Sequence, residues 1–297
     1  VKIFFDNVNI SSSSGPNSFG KRLINEMRRM GHKTCLTPEN HDVQLSFITM
    51  NQKTGPTALR LDGIYFNTRQ DWTSQNRLIQ ASFKAADLVI YQSSFNKALC
   101  EQFFGNPKSS IIINNGTCLE TIRNIPRLSS SILDGFSEVW SCASSWRPHK
   151  RLRENVRYFL EKAPEDSCLI IAGENPDYSA DHPRVFYTGQ LSWEDCISLY
   201  KRSTTFLHLA FLDHCPNVVV DARASGCKLV VASSGGTKEI AAIGDVIIDD
   251  LEWDFKPLDL YSPPTLDFSK SFQKTNEVDI DIQVVATKYI DALQLLT

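Results

Sequence analysis

Two aspartates with seven residues between them, Asp213 and Asp221, carry the strongest chemical signal in this chain. They sit in the stretch Ser203 to Ile240, STTFLHLAFLDHCPNVVVDARASGCKLVVASSGGTKEI. Ionised carboxylates accept hydrogen bonds and donate none, so two of them at one cleft suit the paired hydroxyls of a polyol. A second signal is Ser144-Ser145-Trp146-Arg147-Pro148-His149-Lys150, where Arg147 and Lys150 lie three apart. At a helix start, a guanidinium fork and an ammonium can hold a diphosphate together with the free amides. Cations there are otherwise unfavourable by ~0.3 to 1 kcal/mol each, a cost that a bound anion reverses. The plain alternative is a solvated basic turn, because Arg151 and Arg153 continue the run.

The elements around these residues must place them at one crevice. TFLHLA is a largely apolar run, as in a strand covered on both faces, and it ends in a polar loop, Leu212 to Pro216. Pro216 suits the first turn of a following helix, where its missing N–H has no partner to lose. That helix, Asn217 to Ser225, closes at Gly226; KLVVAS is the next strand, and Ser-Ser-Gly-Gly leads to another helix start. Side-by-side strand-to-helix turns line the crevice at the carboxyl ends of a parallel sheet, so the turn His214, Cys215, Pro216 and Asn217 faces a bound anion.

The rest of the chain alternates in the same way. KIFFDNV reads as the first strand, SSSSGPNS as a loop, and Phe19 to Met30 as a helix ended by Gly31. HKTCL, DVQLSFI and TALRLD follow as strands, Gln75 to Ala85 as a helix, ADLVIYQS as a strand, Phe95 to Phe104 as a helix and SIIIN as a strand. Cys118 to Phe136, with Pro126 and a serine run, breaks the alternation as a linker does. It then restarts with EVWSCAS, a helix from Lys150 to Lys162, CLIIAG, RVFYTG and a helix from Trp193 to Arg202. After Asp249 no period is legible until Ile282 to Leu296, where Ile282, Val285, Ala286, Tyr289, Ile290, Leu293 and Leu296 share one helical face. The fold class is α/β, with two Rossmann-like domains facing across a cleft where ligands should sit.

The acid, seven residues and second acid, followed by ARASGCKLVVASSGGTKEI, resemble the retaining glycosyltransferases of the GT-B fold, family 4 (glycosyl transferases group 1). That family carries the same acid spacing and then a segment like A-x-A-x-G-x-x-V-V-x-S-x-x-G-G-x-x-E-I. It usually has Glu at the second acid and often at the first, where this chain has Asp at both. The resemblance implies that Asp221 holds the ribose hydroxyls and Asp213 the donor sugar, and that Arg147 and Lys150 bind the donor diphosphate. It also implies that the final helix crosses back onto the first domain. The division expected is 1–124 plus the 282–297 helix as the acceptor-side domain, and 125–281 as the nucleotide-sugar domain.

Weaker signals each carry two readings. Gly15, in Ser14-Gly15-Pro16-Asn17, is a phosphate cradle with one glycine where the family has two or more, or a plain loop. Asp62 ends a strand facing the cleft, where it either holds a sugar hydroxyl or orients an acceptor, or forms an Asx-type turn before Gly63. Asn114-Asn115-Gly116 is a family-like motif or a turn. His208, His214 and Cys215 lack a fourth ligand at zinc spacing, which leaves His208 as a core histidine. Asp279 and Asp281 read as capping residues and Glu239 as a first-turn acid of its own helix.

Composition narrows the class. The chain has 297 residues, 42% of them apolar, enough for real cores, and a net charge of -3 gives no reason to expect nucleic acid. Eight cysteines without a C-x-x-C pair read as reduced thiols. The sequons at Asn9 and Asn115 read as chance. With no transmembrane run and no visible leader, a cytoplasmic enzyme is expected. The reading is a metal-independent transferase that moves a sugar, with retention, from a UDP- or GDP-linked nucleotide sugar to a glycan, lipid or protein-linked glycan acceptor. The donor is a substrate, so no cofactor is expected. Rival readings are a nucleotide-sugar epimerase of the same fold, or a catalytically silent sugar-nucleotide-binding protein.

Overall fold

The computed structural model describes residues 1–297. Its first half runs β1 (Lys2–Asp6), α1 (Gly15–Arg29), β2 (Lys33–Cys35), β3 (Val43–Phe47), β4 (Thr57–Leu61), α2 (Trp72–Ala85), β5 (Leu88–Tyr91), α3 (Ser94–Phe104) and β6 (Ser110–Ile112). Its second half runs α4 (Leu119–Asn124), β7 (Glu138–Ala143), α5 (Leu152–Lys162), β8 (Ser167–Ala172), β9 (Val185–Gly189), α6 (Trp193–Arg202), β10 (Thr205–His208), α7 (Asn217–Ala224), β11 (Lys228–Ala232), α8 (Thr237–Ile240), β12 (Val246–Ile248), β13 (Ser271–Gln273) and α9 (Ile282–Gln294). Helix starts follow local chemistry: Ser93 and Ser192 accept from the amides of Asn96 and Asp195, and Asp281 accepts from that of Gln283.

The first sheet has order β2-β1-β3-β4-β5-β6, all parallel, and the second β13-β12-β11-β10-β7-β8-β9, parallel except for β13. Each order reverses once, between β1 and β3 in the first sheet and between β7 and β10 in the second. Those two reversals are where open α/β sheets leave a crevice at the strand ends.

Helix α9 lies in the core of the first sheet: Ile282, Val285, Ala286, Tyr289 and Leu293 pack with Ile3, Phe5, Phe19, Leu23 and Val43. Helix α9 thus follows the second sheet in the chain but packs against the first. Ile122 of α4 packs instead with Val139, Phe206 and Leu229 of the second sheet, so the chain has already crossed over by the end of the first expected division.

Several expectations need correction. Helix α1 starts at Gly15, four residues before Phe19, because Pro16 supplies a first-turn φ and loses no hydrogen bond. The expected linker holds α4 and a 3₁₀ turn at Leu133–Gly135. Lys150 does not open a helix. It ends a 3₁₀ turn, Pro148–Lys150, and α5 begins at Leu152 after Arg151 takes a left-handed φ of 52°. Strand β12 and the edge strand β13 were not legible; β13 is three exposed residues held only by pairing with β12.

Candidate active site

The second sheet's order brings the loops after β7 and β10 side by side. They are tied together, since the Phe211 amide donates to the His149 carbonyl at 2.7 Å. The first loop is anchored by Trp146, whose indole N–H donates to the Ala172 carbonyl at 3.0 Å. Lys150 from the first loop then reaches Asp213 of the second, Nζ to Oδ2, at 2.5 Å. His208 Nε2 meets the same carboxylate oxygen at 2.9 Å. Burial pushes the Asp213 carboxyl up, but the Lys150 ammonium and the His208 hydrogen bond outweigh it and hold it well below the usual range. Burial lowers the His208 pKa, so a neutral imidazole donates to a carboxylate whose charge Lys150 balances. His208 is thus a core histidine, as its apolar surroundings suggested, but its partner is the site acid itself.

The turn after Asp213 is built to tight tolerances. A Cβ on Gly235 would strike the Asp213 carbonyl, and one on Gly236 would strike the His214 carbonyl. The Gly236 amide donates to the Asp213 carbonyl at 2.7 Å. Gly63 of the first half presses on the His214 ring, where a Cβ would come within 2.5 Å of Nε2. Burial lowers the His214 pKa to about 4, and burial with the neighbouring Lys150 lowers that of His149 to about 3. Pro216 caps α7 without a side-chain bond, leaving the first amides of that helix without a side-chain partner.

Asp221 is buried and fully engaged. Arg22 of α1 grips it with both ends of its fork, Nη1 to Oδ1 at 2.9 Å and Nη2 to Oδ2 at 2.7 Å, and Trp193 Nε1 adds a bond at 3.0 Å. The acid expected to hold a ribose therefore holds the other half of the molecule. Arg147 is exposed and forms no side-chain ion pair or hydrogen bond, so it and Lys150 do not act together in this state.

The remaining expected residues join a polar seam between the halves. Fully buried Arg60 pairs with Asp62 through Nη1 and donates to Tyr289 Oη at 3.1 Å and Asn115 Oδ1 at 2.7 Å. Asn115 Nδ2 donates to the Cys215 carbonyl at 2.9 Å and to Asn217 Oδ1 at 3.0 Å, while Asn217 Nδ2 donates to the Gly15 carbonyl at 2.9 Å. Asp62 is thus the counter-charge of Arg60, and its second oxygen is buried without a partner. Gly15 has no positive φ, and a Cβ there would meet only Asn217 Nδ2 at an ordinary 3.9 Å, so nothing in its conformation requires glycine. Asn115 is buried in this seam, out of reach of glycosylation.

Four residues at the site were not foreseen. Arg22 lies three residues after Phe19, on the edge of the apolar stripe of α1, and a cation at such a position was a legible sign of a partner. Arg60 interrupts a strand buried on both faces, which was the same sign. Arg151 is no solvated cation: it is buried, with its guanidinium on Asp250 at 2.8 Å. Glu239 does not serve its own helix; its carboxylate accepts from the amides of Ser94 and Phe95, at 2.8 and 3.1 Å, and so caps α3 of the other half. Nothing local marks that contact, because the partner lies 145 residues away. No helix is long and apolar enough to cross a membrane.

No protein-family model and no curated protein sequence matches the chain. Solved structures do. Anabaena HepE in complex with UDP aligns with a TM-score of 0.69 at 13% identity, over 99% of this chain and 100% of that one. HepE with UDP and glucose gives 0.65 at 15%, over 99% of both chains. Sucrose-phosphate synthase from Thermosynechococcus elongatus gives 0.65 at 12%, over 84% of this chain and 86% of that one. At such identities the likeness is one of architecture, and that architecture, two parallel-sheet units, is the GT-B fold of glycosyltransferases.

Proposed function

We propose that the chain is a retaining glycosyltransferase of family 4 type, which moves a sugar from a UDP- or GDP-linked donor to an acceptor hydroxyl without a divalent metal. The observation that carries this reading is Lys150 on Asp213 at the order reversal of the second sheet, beside the uncapped start of α7. A departing diphosphate needs fixed positive groups aimed at its developing charge. Lys150, Arg147 and the amides of the turn from His214 to Asn217 can supply them. Asp213 then accepts from donor-sugar hydroxyls, and Asp221 from the ribose once Arg22 moves off. Asp62 acts as a positioning residue through Arg60. As the bond from the anomeric carbon to the diphosphate oxygen breaks, the acceptor oxygen bonds to that carbon on the same face and its proton passes to the leaving phosphate. Residues 1–124 with 282–297 serve the acceptor, and 125–281 the donor. That HepE was solved with UDP and with UDP-glucose supports the choice of donor class.

A thermal-shift panel of nucleotide sugars followed by product analysis tests this. A donor at 100 times its Kd stabilises by ~2.7 kcal/mol. No shift with any UDP- or GDP-sugar would remove the donor site. Inverted product would remove the retaining mechanism. A second reading, a catalytically silent sugar-nucleotide-binding protein, is favoured by one observation, the bidentate hold of Arg22 on Asp221. Donor binding without transfer or hydrolysis selects it.

A further inference from the structure

The first sheet has its own order reversal, between β1 and β3, and a crevice of about 460 Å³ opens there. Its polar lining is Asn7, Asn9, Asn17, Asn51, Gln52 and Thr54, and no lysine or arginine lines it. The one carboxylate, Asp6, is buried and already accepts from Gln44, Ser46 and both the backbone and side-chain nitrogens of Asn51. It offers nothing to a ligand except the orientation it imposes on Asn51.

Three asparagines are each fastened by one end of the amide. Asn7, at a left-handed φ of 59°, donates through Nδ2 to the Phe47 carbonyl at 2.8 Å and to Thr49 Oγ1 at 3.0 Å, leaving its Oδ1 without a partner. Asn51 donates to Asp6 Oδ1 at 2.8 Å, and its Oδ1 is likewise unused. Asn9 is fastened the other way: its Oδ1 accepts from the Ser11 amide at 3.0 Å, leaving Nδ2 unused. The side-chain amide of Gln52 is exposed and unbonded. Two held carbonyl oxygens and one held amide nitrogen match groups that both donate and accept, as hydroxyls do. A phosphate or carboxylate, which only accepts, would meet those two carbonyl oxygens and no cation. Exposed Leu36 and Pro38 add an apolar edge for a ring face.

The crevice also connects to the transfer site. Asn9 N–H donates to Asn17 Oδ1 at 2.8 Å, Asn17 Nδ2 donates to Ser14 Oγ at 2.9 Å, and the next residue, Gly15, bonds Asn217. We infer that this crevice binds the acceptor and that the acceptor is an uncharged glycan end, read by Asn7, Asn9, Asn51 and Gln52. The assignment of the ligand as acceptor rests on the transferase reading; its chemical class rests on the crevice alone.

The test uses the full chain on an array carrying neutral, phosphorylated and sialylated glycans, with affinities then measured for the neutral glycan bound best. Binding to neutral glycans is expected, weakened about tenfold in Asn9→Ala/Gln52→Ala through loss of two hydrogen-bonding amides, with the melting temperature unchanged. Both side chains are exposed, so folding is not at risk. Asn9→Lys should admit phosphorylated glycans that the unaltered chain rejects. Binding to anionic glycans only, to none at all, or equally well in the double variant overturns the inference. Neutral-glycan binding that is lost in the double variant, in a chain that neither transfers nor hydrolyses any nucleotide sugar, upholds the crevice and sinks the transferase reading instead.

Discussion

Asp213 and Asp221 are alike in sequence and opposite in what neutralises them. Asp213 is matched from within its own half, by Lys150 of the loop after β7 and His208 at the end of β10, which the second sheet alone brings together. Asp221 is matched across the divide, by Arg22 of α1. The first pair is formed wherever the second half is folded, whereas the second exists only while the halves are closed. One acid is therefore fixed within its own half, whereas the other helps hold the molecule shut and is open to a ligand only where Arg22 lets go.

The largest effect separating them is on stability. Asp221→Ala leaves the half-buried Arg22 fork without its partner, and losing hydrogen bonds to a charged group costs about 1.5 to 3 kcal/mol; urea unfolding should show a loss of that order. Asp221→Ala with Arg22→Met should recover much of it, and a double variant as unstable as the single one would mean the pair is not the cause. In the folded population, nucleoside diphosphate should also bind more weakly.

Next is Lys150→Ala, expected to lower kcat by roughly 10² or more, as for loss of one preorganised donor to a developing charge. Arg147→Ala should do the same although Arg147 makes no side-chain hydrogen bond or ion pair here, because the task proposed for it begins only with the diphosphate. Near-normal turnover in both variants would break the comparison at its catalytic end.

The pH dependence is smaller and has a definite sign. His214 and His149, with pKa values lowered to about 4 and about 3, stay neutral in the fold while the unfolded chain takes up protons below its ordinary value near 6.5. Stability is full above that value and falls as the pH drops from about 6.5 toward 4, by about 1.4 kcal/mol per pH unit for each histidine. Urea melts of the unaltered chain and of His214→Asn should differ in slope by one proton in that window. Equal slopes would place His214 in a more open setting than the pressed contact with Gly63.

Arg22→Ala should tighten UDP binding several-fold in calorimetry, by freeing Asp221, even as it loosens the fold. Weaker binding would mean that Arg22 holds the nucleotide rather than competing with it. The smallest effect is expected from EDTA, which should leave turnover intact; loss of activity restored by Mg²⁺ or Mn²⁺ would replace the cationic site with an ion.

What was legible in the sequence was whatever is local. The strand at TFLHLA, the break at Pro216 and the apolar face of α9 each follow from the order of residues within a dozen positions, and the structure has them in place. The acid spacing was legible too, but its partners were not. Nothing near Asp221 points to Arg22, 199 residues away, and nothing near Glu239 points to the start of α3. The sign available was an ionisable residue on a face that should have been apolar, at Arg22 and Arg60, and it says that a partner exists without saying which. The starts of α6, α7 and α9 fall where the sequence put them, but around Gly15 and Lys150 a proline and a left-handed residue set the boundary, and periodicity is silent about both.

The placement of α9 also orders events on the ribosome. The first sheet is synthesised early, but part of its core, from Ile282 to Leu293, emerges only after every strand of the second. Until then the sheet presents bare Ile3, Phe19 and Leu23 surface, and Arg60 lacks its tyrosine partner. Domains synthesised in sequence generally fold in sequence; here the second unit can close first, and the nascent first unit must be shielded while it waits. A chain cut before residue 282 should therefore be captured by chaperones or aggregate, even though every strand of both sheets is present.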